Sequence, residues 1–228
     1  MSFDNGPRIV TNGLVLALDS ADRNSYVSGS TTWGDLSGNG NNGTIQNTPA
    51  YSALNGGSLD LNGTTNRILI NCAANTIRSF DTTCQFTVKL PLYSEGQRCI
   101  LSYRGSSGGE LYIGKSSGGI FTFYNSLSTT SYTVGSIPDN TIAICAVVIN
   151  ATAGSISIYI NGTLAGTATG RTGFSTAFNS TMYLGYDNGG TNEYMLGNFY
   201  NFMHYNRILS ASEIQQNYNA QKSRFNLT

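Results

Sequence analysis

Alternation between apolar and polar positions dominates this chain, and it predicts strands almost throughout. Residues 155–161 read SISIYIN, with Ile156, Ile158 and Ile160 on one face and Ser155, Ser157 and Tyr159 on the other. That period of two marks a half-buried strand. Asn161-Gly162 follows, a pair suited to the positive φ angles of a type I′ hairpin turn, and Leu164 begins the return strand. Residues 141–150 are apolar on both faces (Ile142, Ile144 and Val148 against Val147 and Ile149), as a central strand requires. Leu14, Leu16 and Leu18 alternate with Val15 and Ala17 in a first strand that stops at Asp19. Further strands are predicted over 58–61, 67–71, 85–92, 98–103, 110–115 and 120–124, each rich in aromatic or β-branched residues and bounded by Gly, Asn or Ser. Pro91 predicts that its strand ends there or lies at an edge. Residues 20–43 are dense in Ser, Gly and Asn and read as a long loop region, and residues 1–12 as a polar arm.

The stretch from Met182 to Tyr218 organises the rest. A short apolar run (Tyr183, Leu184) leads into the Gly-rich loop Asp187-Asn188-Gly189-Gly190 and then a long aromatic strand. Strict alternation there puts Phe199, Met203 and Tyr205 on one face and Tyr200 and Phe202 on the other. Ser210 and Glu213 then form an S-x-x-E capping box, with Leu209 and Ile214 placed for a hydrophobic staple across it. A helix is therefore predicted over about 210–224. Many short strands and one helix in 228 residues predict a single β-sandwich over residues 13–228, without internal repeat or a second domain.

Composition narrows the partners. Charged residues make up only 11% of the chain, against roughly 25% in an average soluble protein. Twelve basic and twelve acidic residues cancel, so no electrostatic footprint for nucleic acid is present. A neutral, charge-poor surface gives little protection from association, which suits a protein living in a lattice or fibre. The N-terminal residues carry no signal-peptide pattern, and no apolar run is long enough for a membrane-spanning helix. Cys72, Cys84, Cys99 and Cys145 are irregularly spaced and read as reduced thiols.

Three stretches carry a resemblance. Residues 182–218, the loop WGDLSGNGNNGT at 33–44 and the hairpin IYINGTL at 158–164 resemble the laminin-G-like, concanavalin A-like jelly-roll family over nearly the whole chain. The wording of residues 6–10 and 222–225 is similar to versions in structural proteins of tailed, particularly marine, bacteriophages. The resemblance implies an all-β jelly-roll β-sandwich and, first, a non-enzymatic virion component: a capsid decoration, head-fibre or tail-associated protein. Its partners would then be other virion proteins and further copies of itself, and its location the virion. The second reading is a lectin-like adhesin for host-surface polysaccharide.

Candidate chemistry follows from the same loops. A sugar site needs an aromatic platform beside planar polar groups, and Trp33, Tyr186, Asp187 and Asn188 are the candidates. Relatives often hold calcium on loop oxygens, which suits a hard cation; Asp35, Asp60 and Asp187, with Asn39, Asn62 and Asn188, lie in the corresponding loops. Against this, residues 61–67 read LNGTTNR where family members often carry FDG-DDY, removing two acidic ligands and adding a cation. A glycosidase is the third reading. The family's glucanases place carboxylates at alternate positions of one strand, as a retaining mechanism with carboxylates about 5–5.5 Å apart demands. No two carboxylates stand two residues apart here. His204 is the only histidine and reads as a hydrogen-bonded sheet residue; no phosphate-binding loop is present.

Overall fold

The computed structural model describes residues 7–71, 81–92, 97–104, 110–116, 120–125, 128–170, 181–187 and 193–228. Among these, the chain forms two antiparallel sheets packed face to face. In chain order the strands are β1 (Leu14–Asp19), β2 (Thr32–Trp33), β3 (Gly43–Gln46), β4 (Ala50–Ser52), β5 (Ser58–Asn62), β6 (Arg67–Asn71), β7 (Thr82–Lys89) and β8 (Gln97–Arg104). They continue as β9 (Glu110–Ser116), β10 (Ile120–Asn125), β11 (Ser128–Ser136), β12 (Ile142–Asn150), β13 (Ser155–Ile160), β14 (Thr163–Ala168), β15 (Thr181–Leu184) and β16 (Leu196–Tyr205). The first sheet runs β14-β13-β12-β7-β16-β5-β4, with β1 also paired to β16. The second runs β11-β10-β9-β8-β15-β6-β3-β2.

The longest strand sits at the centre of the first sheet. β16 pairs β7 along one edge and, on the other, β5 through residues 196–199 and β1 through residues 201–205. Between the sheets lies the main core, where Leu16, Leu18, Phe86, Val88, Phe199 and Phe202 of the first sheet meet Ile68, Ile70, Leu101, Ile113 and Leu184 of the second. The aromatic strand departs from strict alternation. Its register against β7 shifts between Phe199 and Asn201, and a bulge of this kind turns the residues beyond it over. Phe199 therefore joins Phe202 in the core, while Tyr200, Met203 and Tyr205 face outward.

That outward face is covered by the C-terminal helix α1 (Ala211–Gln221), which a short 3-10 turn (Lys222–Phe225) extends. The capping box forms: Ser210 accepts from the Glu213 N–H, and the Glu213 side chain accepts from the Ser210 N–H. Ile214 packs with Leu209, Met203 and Tyr205, and Tyr218 with Ile144 and Tyr200. Covered on both faces, β7 and β12 are buried along nearly their whole length.

Two expectations change. The described part of the N-terminal segment is not a free arm: Val10 is buried, its N–H donates to Asn217 and its carbonyl accepts from Tyr205, while Arg8 O accepts from Gln216. The apolar pair Ile9-Val10 packs with the helix cluster. Within the predicted loop region, β2 forms and pairs with β3. Residues 161–162 take φ +49 and +77, as the predicted hairpin turn requires.

Candidate functional site on the outer face of the second sheet

Across β6, β15 and β8 the inner face of the second sheet is apolar and its outer face carries Arg67, Tyr183 and Ser102. Ile68, Ile70, Met182 and Leu184 point into the core, so Arg67, Leu69 and Tyr183, between them in sequence, point out. Register carries this across the sheet: Tyr183 stands opposite Leu69 on β6 and Ser102 on β8, and Ser102 opposite Tyr112 on β9.

A hairpin stem folds over this row. Beyond β15, Gly185 N–H donates to Ile100 O, Met195 N–H to Gly185 O and Asp187 N–H to Glu193 O, and Tyr186 bridges Tyr194. Gly185 has φ +75, and a Cβ there would run into the Leu61 side chain, so the turn onto the sheet needs glycine. Ser102 Oγ donates to Tyr186 O and ties the stem to the sheet.

The stem assembles an aromatic cluster with a cation in it. The Tyr186 ring lies 4.6 Å from that of Tyr194 and 5.5 Å from that of Tyr183. The Arg67 guanidinium sits 4.7 Å from the Tyr186 centroid, close enough for cation–π attraction. It is held there by bonds from Nε to Gln46 Oε1 (2.5 Å) and from Nη1 to the Tyr194 hydroxyl (3.2 Å). Burial raises the Tyr186 phenol above its usual range, with Tyr194 adding and Arg67 opposing. Tyr112 is buried beneath; desolvation, and then the neighbouring Cys99, Glu193 and Asp187, push its ionisation upward, so it stays a neutral donor. Tyr183, Tyr194 and Arg67 remain partly exposed. They offer ring surface and a guanidinium side by side, the combination that stacks on and hydrogen-bonds a polar ring.

The residues predicted for sugar binding fare unequally. Trp33 is fully buried, edge-to-face with Phe199 at 6.0 Å, and its indole N–H meets no acceptor among the described residues. With no face on the surface it serves the core, not a glycan. Tyr186 and Asp187 do belong to the cluster, but both are largely covered, so they shape it more than they present it. Asn188 lies outside the described residues. Tyr183, Tyr194 and Arg67 were missed because their assembly depends on sheet register; the one local signal was a tyrosine placed between the inward Met182 and Leu184.

The predicted metal ligands do not converge. Asp35 is consumed by its own loop: Oδ1 accepts from the Ala17 and Ser37 N–H groups, and Oδ2 from the Asn41 N–H and the Ser37 hydroxyl. Asp60, on the first sheet, accepts from Ser58 and Asn198. Asp187 lies in the stem on the second. Among the described residues no three His, Cys, Asp or Glu side chains group as a metal site would need.

His204 is the hydrogen-bonded sheet histidine that was expected. The Thr82 hydroxyl donates its one proton to Tyr205 O (2.7 Å), so it accepts from His204 Nε2–H (2.8 Å). Nδ1 then accepts from the Tyr103 hydroxyl at 3.1 Å and faces Cys84 Sγ at 3.4 Å. Cys84, Cys99 and Cys145 are buried; Cys72 lies outside the described residues. Among the described residues no helix is long and apolar enough to cross a membrane.

Comparison with known proteins gives the fold its relatives. Residues 62–215 match the sequence profile of the concanavalin A-like lectin/glucanases superfamily. No curated protein matches the chain. Among solved structures, the binding domain of botulinum neurotoxin DC in complex with rat synaptotagmin II is similar with TM-score 0.73 and 14% identity, over 93% of this chain and 52% of that one. Botulinum neurotoxin type C, described as entering cells through interaction with two ganglioside molecules, gives the same values. Trypanosoma rangeli sialidase in complex with sialic acid has TM-score 0.70 and 17% identity, over 93% of this chain and 33% of that one. The chain thus spans about half of the toxin structures and a third of the sialidase. At these identities the likeness is one of fold.

Proposed function

The chain belongs to the concanavalin A-like lectin/glucanases superfamily, and from that premise we propose that it is a lectin-like, glycan-binding domain. Its binding face is the outer surface of the second sheet around Tyr183, Tyr194 and Arg67, with Tyr186 beneath them. The observation that carries this reading is the Arg67–Tyr186–Tyr194 cluster, in which a partly exposed guanidinium and phenol rings are pre-positioned by bonds to Gln46 and to each other. Rigid aromatic and arginine groups give contact area at little ordering cost. Two of the similar structures are described with a ganglioside or sialic acid, which supports a glycan as the ligand class here.

The role is binding rather than hydrolysis, because alternating carboxylates on one strand are missing from the sequence. A finer reading places the domain on a phage particle as a decoration, head-fibre or tail-associated protein that contacts host-surface polysaccharide. Its support is the wording of residues 6–10 and 222–225 and the charge-poor, neutral composition.

The test is a titration of host-envelope polysaccharides against the wild type, Tyr194→Ala and Arg67→Ala, with calcium and with chelator. Saturable binding weakened about tenfold or more in both variants, a loss of about 1.4 kcal/mol, with unchanged circular dichroism, is the expected outcome. Binding unaffected by either substitution would move the site elsewhere. No binding in any condition would refute the lectin reading.

A further inference from the structure

Beneath α1, on the outer face of the first sheet, three buried polar atoms find no hydrogen-bond partner among the described residues: Gln85 Nε2, Thr87 Oγ1 and Asn201 Oδ1. Their residues are 1%, 0% and 4% exposed. They are neighbours: Gln85 and Thr87 share a face of β7, and Asn201 on β16 stands directly opposite Thr87. Buried polar atoms are rarely left without a partner, and ordered water is a common one.

The polarity of each amide is fixed by backbone groups, which cannot reverse. Val10 N–H can only donate, so Asn217 Oδ1 faces it at 2.7 Å. Asn217 Nδ2 then points to Gln85 Oε1 (3.0 Å) and the Tyr205 hydroxyl (3.0 Å), and Gln85 is left presenting its Nε2 donor. From the other end, the Asn217 carbonyl can only accept, so Gln221 Nε2 faces it at 3.0 Å. Gln221 Oε1 therefore accepts from Asn201 Nδ2 (2.8 Å), and Asn201 is left presenting its Oδ1 acceptor. Thr87 adds a hydroxyl able to do either. One donor, one acceptor and one group of both kinds are thus left at neighbouring positions of β7 and β16 beneath α1.

We propose that these three side chains hold a single buried water molecule, which bridges the two central strands of the first sheet beneath α1. It accepts from Gln85 Nε2–H, donates to Asn201 Oδ1, and completes its bonds with the Thr87 hydroxyl. The polarity selects the ligand: a cation would meet the Gln85 donor, an anion the Asn201 carbonyl, and an apolar group would leave all three unsatisfied. The spacing of the opposed pair Thr87 and Asn201 suits one molecule. Directly opposed residues have Cβ atoms about 5 Å apart, and a water with bonds of about 2.8 Å bridges atoms up to roughly 5.6 Å apart. Three partners is the usual number for an internal water.

A crystal structure of the full chain at a resolution that shows ordered solvent is the test. The expected result is one peak within hydrogen-bonding distance of all three atoms, with Asn217 and Gln221 oriented as above. A structure in which Thr87 Oγ1 bonds Asn201 Oδ1 directly, or in which side chains repack into the spot with no solvent peak, would overturn the proposal. A solution measurement keeps it testable without crystals: rotating-frame cross-relaxation between the Gln85 side-chain amide protons and the water frequency is expected. Its absence, with the Gln85 amide assigned, counts equally against the site.

Discussion

Replacing Glu213 by Gln should cost stability at neutral pH and cost nothing in strong acid. The Glu213 carboxylate accepts two bonds from Arg207, at 2.6 Å from Nη2 and 3.0 Å from Nη1, and one from the Ser210 N–H at 2.8 Å. The Arg207 hydrogen bonds above all, then the backbone bond at Ser210, hold its carboxyl well below the usual range, at about 2 instead of 4.5. At about 1.36 kcal/mol per unit, that difference sets a ceiling of about 3 kcal/mol. The two side chains are 27% and 29% exposed, so solvent screening reduces the expected charge contribution to about 1–2 kcal/mol. Because the folded value is the lower one, the stabilisation is complete above the unfolded value near 4.5 and is lost as pH falls toward 2. Glutamine keeps an oxygen that can accept from Ser210, so the substitution removes mainly the charge. Urea unfolding of wild type and Glu213→Gln between neutral pH and about pH 2 measures this directly, since the other carboxylates cancel in the difference. A gap that stays constant across that range would refute the reasoning and return the contribution to the helix cap alone.

Other outcomes follow from burial and bonding. Trp33→Ala should destabilise the fold by about 3–5 kcal/mol in thermal or urea unfolding, yet leave glycan affinity unchanged in the molecules that remain folded. Selective loss of binding with full stability would restore Trp33 to a sugar site. Asp35→Ala strips acceptors from three backbone N–H groups and should cost about 2–3 kcal/mol, equally with calcium and with chelator. A calcium-dependent gain in melting temperature that vanishes in this variant would show that Asp35 is a ligand after all. Cys84, Cys99 and Cys145 are buried, and burial pushes the Cys145 thiol upward. Thiol reagents at mildly alkaline pH should therefore spare all three until denaturant is added, as peptide mass mapping would reveal; native labelling of Cys145 would contradict its placement.

Local pattern was enough for much of this protein. Period-two alternation located β13, the Asn161-Gly162 turn and β14 because a hairpin's faces and its turn are written in adjacent residues. The helix start was legible for the same reason: Ser210, Glu213, Leu209 and Ile214 satisfy and staple one another within five positions. Loop composition concealed β2 and β3, whose Ser, Gly and Asn-rich surroundings adopt strand geometry only when β6 supplies hydrogen-bond partners to β3, and β3 in turn to β2. Strict alternation failed at Phe199 because a register shift depends on the opposing strand, and one extra residue sends the side chains beyond it to opposite faces. Trp33 looked like a loop aromatic, and only packing against Phe199 made it core. The proposed glycan face unites Arg67, Tyr183 and Tyr194, which are 116 and 11 residues apart in sequence. Pairing of β6 with β15 and of residues 185–187 with 193–195 brings them together. Residue types and local spacing thus determined the elements and the fold class; the register between distant strands decided which side chains meet, because that register is set by pairing across the sheet rather than by neighbours along the chain.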